Sequence, residues 1–134
     1  QALGSEHVMV VHSADGLDEI SIAAETAVAE LKNGDILEYV ISPEDFSLVR
    51  GSLNALKVDN AEESLAMVKA ALNGEFEAAS DMVALNAGAA IYVSGQAMDL
   101  ASGVRMAQDA IGGGLATEKM KEFVDFTRQL SDAV

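Results

Sequence analysis

DMVALNAGAAIYVSG, Asp81 to Gly95, carries an apolar or small side chain at nearly every position. A helix that is apolar all round belongs in the middle of a domain, with other elements on every side. Ser80 reads as its N-cap and Gly95 as its stop. Asn86 interrupts the apolar run. A buried amide needs hydrogen-bond partners, so Asn86 either ties down a neighbouring loop or marks a side that faces a ligand, and structural support is the plainer reading.

Helices flank this one in sequence. Asn60 caps a predicted helix with Glu62 and Glu63 in its first turn and Leu65, Val68 and Leu72 on one face, ended by Asn73-Gly74. Leu100, Val104, Ala107 and Ile111 form a stripe at helical spacing that stops at Gly112-Gly113-Gly114. Thr117 reads as the cap of a last helix, with Met120, Phe123, Val124, Thr127 and Leu130 facing inward.

The first third of the chain has strand character. Val8-Met9-Val10-Val11 reads as a short buried strand, and Glu19 to Ile22 as a second extended piece. Asn33-Gly34 lies between two β-prone runs and predicts a hairpin over about 26–41. Ser42-Pro43-Glu44-Asp45 then opens a helical turn, with Ser42 as N-cap, Pro43 at its first position and Asp45 at the capping-box position. The fold class is therefore α/β and helix-rich. So few strands for so many apolar helices imply a larger sheet whose earlier strands lie outside these residues.

The 134 residues suit one domain, and the formal net charge of −14, from 22 acids against 8 bases, argues against nucleic acid and anionic membranes as partners. The longest apolar-rich stretch, Met82 to Val93, is shorter than the roughly 20 residues a bilayer requires. There are no cysteines, which makes the cytoplasm the expected compartment and excludes thiolate metal sites. Gln1-Ala2-Leu3-Gly4 lacks the opening of a signal peptide, and a first residue other than Met is expected of a processed chain or a fragment.

Candidate chemistry is sparse. Asp18 and Glu19 stand side by side just past the first strand. Adjacent carboxylates there suit Mg2+, which takes one or two carboxylates plus phosphates and waters; a solvated turn with two ordinary acids is the plainer reading. His12 is a candidate general base or ligand, or a partly buried hydrogen-bonded ring, and His7 carries a weaker signal. Gly112-Gly113-Gly114 lies between helices and lacks the Lys-Ser/Thr of a nucleotide loop, so it reads as a helix stop. Arg50, one of three arginines, reads as a salt-bridge partner.

Taken together, several segments resemble one family. Val10 to Ser21, VVHSADGLDEIS, closely resembles the "VVHG-x-DGLDEIS" segment of the anthranilate phosphoribosyltransferases. Ser42-Pro43-Glu44-Asp45-Phe46 is similar to that family's "TPEDFGL", and Asp81 to Gly95 to its "D-x-V-x-LNAAAALYVAG". Shorter likenesses continue at Asn60-Ala61, Leu72-Asn73-Gly74 and Leu100 to Val104, so the resemblance covers nearly all 134 residues. Ser13 departs from it, standing where Gly is usual.

The resemblance implies the C-terminal, helix-rich portion of the large α/β domain of a nucleoside-phosphorylase-like phosphoribosyltransferase over residues 1–134. The family's N-terminal helical domain and glycine-rich diphosphate loop lie earlier in its chain. The implied reaction transfers a phosphoribosyl group from phosphoribosyl diphosphate to anthranilate, in tryptophan biosynthesis. It implies Mg2+ held by Asp18 and Glu19, no catalytic residue in this portion, and a homodimer in the complete enzyme. The alternatives are a relative with a different acceptor, including a nucleoside-phosphorylase-like one, and a non-catalytic binding homologue.

Overall fold

The computed structural model describes residues 2–131. Three strands, β1 (His7–Ser13), β2 (Thr26–Lys32) and β3 (Asp35–Ile41), form an antiparallel sheet in the order β1-β2-β3. The predicted hairpin is β2 and β3: Lys32 pairs with Asp35 across Asn33-Gly34. Asn33 at φ 54° and Gly34 at φ 87° both lie in the left-handed region, the conformation a two-residue turn between twisted strands requires.

Four helices follow: α1 (Ala61–Leu72), α2 (Glu77–Val93), α3 (Leu100–Gly112) and α4 (Leu115–Ser131). Short 3-10 turns at Pro43–Phe46 and Leu53–Leu56 bridge the sheet to α1. The first has the expected capping, with the Asp45 carboxylate accepting from the Ser42 N–H at 2.7 Å. Asn60 caps α1 as expected, accepting from the Glu63 N–H at 2.9 Å.

α2 is the central element. One side sends Leu85 into a core of Ile20, Ile22, Val28, Ile41, Leu48 and Val104, beside the inner face of the sheet. The adjacent side places Ala84 against Ala107 and Ile111 of α3. The α2–α3 crossing is unusually close because glycines meet there: a Cβ on Gly103 would lie 2.3 Å from the Gly88 carbonyl oxygen, and one on Gly88 would lie 2.5 Å from the Val104 Cα. No L side chain fits either position without moving backbone.

Several expectations need correction. α2 begins at Glu77, with Phe76 as N-cap, rather than at Ser80. Ser80 lies one turn inside, where its hydroxyl donates to the carbonyls of Ala71 (2.8 Å) and Phe76 (3.1 Å). α4 likewise begins before Thr117, whose hydroxyl donates to Leu72 O (3.2 Å) and Asn73 Oδ1 (2.6 Å). In both cases a hydroxyl that suits a cap meets a neighbouring helix end instead. The inward face predicted for α4 is only partly inward: Met120 and Val124 are half-buried, while Phe123 is 66% and Leu130 54% exposed.

Glu19 to Ile22 is loop rather than strand. β1 is an edge strand, and its Val10 is exposed at the outer face of the sheet, where Val40 of β3 is exposed too. It is therefore less buried than its composition predicts. Among the described residues no helix is long and apolar enough to cross a membrane.

Candidate functional site: the loop between β1 and β2

Residues 14–25 join β1 to β2, and hydrogen bonds fasten this loop at four places. At its mouth, the Ala14 N–H and the Ser13 hydroxyl both donate to the Glu25 carbonyl, at 2.9 and 3.2 Å. Within it, Ser13 N–H donates to Leu17 O at 3.0 Å, and Asp15 accepts from the Leu17 N–H (3.3 Å) and the Ser21 hydroxyl (2.6 Å). Partial desolvation pushes the Asp15 carboxyl up, but hydrogen bonds led by Ser21 outweigh it and hold it below the ordinary aspartate value. Beyond it, Ser21 N–H donates to the Thr26 hydroxyl at 3.2 Å, and Ile22 O accepts from Gly51 N–H at 2.9 Å.

The fourth fastening comes from α2. Asn86 Oδ1 accepts from the Ile20 N–H and Asn86 Nδ2 donates to the Ile20 carbonyl, both at 2.9 Å. The amide thus acts as a short length of neighbouring strand. This agrees with reading Asn86 as support for a neighbouring loop. Ile20, Ser21 and Ile22 are buried as a result, at 3%, 0% and 0% exposure.

Asp18 and Glu19 lie between the two fastened points, Leu17 and Ile20, and both are exposed. Among the described residues neither carboxylate has a hydrogen bond or an ion pair. Two adjacent oxygen donors without internal partners are the donor type a hard divalent cation takes. Among the described residues no three His, Cys, Asp or Glu side chains converge on one metal position. Two carboxylates alone could fill only part of a divalent cation's coordination sphere.

The other candidates separate from this loop. The His12 ring is exposed at the outer face of the sheet, opposite Ala27, without a hydrogen-bond partner among the described residues. It is thus not a buried hydrogen-bonded ring. Arg50 pairs with Glu44 through two parallel bonds of 2.9 and 3.0 Å, as its salt-bridge reading requires. That guanidinium pulls the Glu44 carboxyl down to about 2.

Sequence reading missed a polar cluster at the far end of the sheet. Glu30 of β2 is 6% exposed, yet its carboxylate has three partners: the hydroxyls of Tyr92 (2.7 Å) and Tyr39 (2.8 Å), and the His7 ring (2.9 Å). Lys32 donates to the Tyr92 hydroxyl at 3.0 Å, and the His7 and Tyr92 rings meet edge to face at 4.8 Å. Burial raises the Glu30 pKa, but the donated hydrogen bonds, Tyr92 first, more than reverse this and leave it below the ordinary glutamate value. Burial and the Glu30 charge together push the Tyr39 hydroxyl well above its ordinary range. The available signal was parity: Thr26, Val28 and Glu30 alternate onto one face of β2 and are buried.

This architecture is a recognised one. Residues 1–117 match the family model described as "Glycosyl transferase family, a/b domain", and the chain belongs to that family. Its relatives carry a narrower name. The chain is 65% identical over 130 residues to the anthranilate phosphoribosyltransferase of Marinomonas sp. (strain MWYL1), and 60% identical over 132 residues to that of Cellvibrio japonicus (strain Ueda107). Each match takes in 96% of this chain and 38% of the relative, so the chain spans well under half the length of these relatives. The crystal structure of anthranilate phosphoribosyltransferase from Thermus thermophilus superimposes with a TM-score of 0.81 at 35% identity, over 91% of this chain and 36% of that one. The Saccharomyces cerevisiae enzyme, solved in complex with PRPP and Mg, shares the fold at a TM-score of 0.76 and 21% identity, over 89% of this chain and 34% of that one.

Proposed function

We propose that these residues are the C-terminal portion of the α/β domain of an anthranilate phosphoribosyltransferase. The complete protein forms a bond between the anthranilate amine nitrogen and C1 of the ribose. The C1–oxygen bond to diphosphate breaks, diphosphate leaves with the electron pair, and the amine loses a proton. The observation that carries this reading is the 65% identity, over 130 residues, to a relative of that name.

Asp18 and Glu19 are the residues that would hold Mg2+, and when bound that ion would supply charge neutralisation for a diphosphate leaving group. The chain's own part is to present two carboxylates without internal partners on a fastened loop, in a stretch of 134 residues whose formal net charge of −14 would by itself repel an anionic substrate. The rest of the diphosphate and acceptor sites belongs to the remaining length of the protein, which works in the cytoplasm as a homodimer.

Loss of anthranilate fluorescence on adding phosphoribosyl diphosphate and Mg2+ tests the reading, with the full-length protein assayed beside the 134-residue chain. Consumption by the full-length protein alone is expected. Turnover by the 134 residues would overturn the division of the site. No consumption by either would point to a different acceptor or to a binding homologue. Asp18→Asn with Glu19→Gln in the full-length protein is expected to raise the Mg2+ requirement and lower kcat/KM; an unchanged Mg2+ dependence would remove both residues from the metal.

A further inference from the structure

Asp18 and Glu19 are exposed and without internal partners, but the backbone on either side of them is not free. Leu17 is held from the β1 side, through its carbonyl to Ser13 N–H (3.0 Å) and its N–H to Asp15 (3.3 Å). Ile20 is held from the helix side by both of its backbone polar groups, and Asn86 alone supplies those two bonds. The amide is itself locked, because Nδ2 also donates to the Met82 carbonyl one turn earlier, at 2.9 Å. It therefore cannot exchange its oxygen and nitrogen without breaking all three bonds.

Two adjacent carboxylates repel each other, and a free loop relaxes by turning them apart. A rung of paired backbone bonds at the next residue limits that relaxation, because it sets the direction and rotation of the chain at Ile20. Pre-organisation of this kind lowers the ordering cost of binding, and groups that orient a metal's ligands commonly change affinity by 10- to 100-fold when removed. We infer that Asn86 is a positioning residue, which holds the Asp18–Glu19 pair in the arrangement a divalent cation needs. This rests on the metal reading of the pair given above.

The test uses the full-length protein, with Mn2+ as the spectroscopic probe, titrated by electron paramagnetic resonance in the presence of phosphoribosyl diphosphate. Asn86→Ala is expected to raise the Kd for Mn2+ about tenfold and to speed amide hydrogen exchange at Ile20 and Ser21. Ser80→Ala is the control: it removes two hydrogen bonds donated by another side chain of α2, at a point away from the loop. It is expected to lower stability and leave the Kd unchanged. A rise of less than fivefold for Asn86→Ala, or an equal rise for Ser80→Ala, would overturn the positioning role. Should Asn86→Ala not fold, Asn86→Asp is measured against the same threshold, since it keeps the shape and the acceptor but loses both donated bonds. The double variant Asp18→Asn, Glu19→Gln separates the two ideas. If it keeps the Mn2+ site, the metal reading fails; if it loses the site while the Asn86 variant keeps it, only the positioning role fails.

Discussion

The two ends of the small sheet treat carboxylates in opposite ways. At the hairpin end, Glu30 is buried and receives hydrogen bonds from Tyr92 and Tyr39, with the His7 ring beside it. At the other end, Asp18 and Glu19 are exposed and have no such partner among the described residues. A buried charge persists only when its lone pairs are used, so the first end is complete in itself. The second end is rigid in backbone and open in chemistry. A carboxylate whose partners are all internal is built for stability; a pair held out on a fastened loop is available to something from outside. α2 serves both ends, with Asn86 at the loop and Tyr92 at Glu30.

The strongest way to break this comparison is to displace α2, since both ends depend on it. Gly103→Ala forces a Cβ against the Gly88 carbonyl, and backbone cannot rotate out of the way as a side chain can. We expect a loss of about 3 kcal/mol or more, at the upper range for overpacking, read by urea unfolding. Hydrogen exchange should rise at both ends together; protection lost at one end only would show that they do not share α2 as their support.

Removing the internal carboxylate should be nearly as costly, and local. Glu30→Ala leaves two tyrosine hydroxyls and the His7 ring without their shared partner, and we expect a loss of about 2–4 kcal/mol. Metal affinity at the loop should not change. Tyr92→Phe removes one hydroxyl of that network and should cost about 1–2 kcal/mol, measured the same way.

The same carboxylate sets an acid limit. Glu30 binds its proton less tightly folded than unfolded, so acid favours the unfolded chain. Its contribution is fully present above the ordinary glutamate value of 4.5 and is lost as pH falls from there through the lower folded value. Melting temperature measured from pH 6 downward should fall more gently below 4.5 in Glu30→Gln than in the unmodified protein. Parallel curves would mean that Glu30 does not contribute to the acid limit.

The smallest expected stability effect is at the open end. Asp18→Asn with Glu19→Gln removes no internal bond, and the melting temperature without metal should move by no more than about 2 °C. A large drop would make the pair part of the internal structure and erase the contrast between the two ends.

How much of this was legible in the sequence depends on the range of the interaction involved. Asn33-Gly34 specified its turn because both residues tolerate positive φ, and Asn60 specified the start of α1 because its side chain reaches the nearby Glu63 N–H. The apolar character of Asp81 to Gly95 placed α2 at the centre, since no other site buries so many sides. The pair Asp18–Glu19 was visible as two letters, and only its resemblance to a family gave it a role.

Distant partners were beyond reach. Ser80 and Thr117 looked like caps because their hydroxyls suit that task, and only the packed structure set Ala71 and Leu72 near enough to accept from them. Nothing local singled out Glu30, because its partner Tyr92 is 62 residues away. Asn86 showed that it needed partners but not that two of its three bonds reach Ile20, 66 residues earlier. By itself the sequence determined the local elements, through turn chemistry, capping and periodicity, which act over a few residues. The tertiary structure decided which polar groups are completed internally and which carboxylates remain open, because that depends on distances between segments remote along the chain.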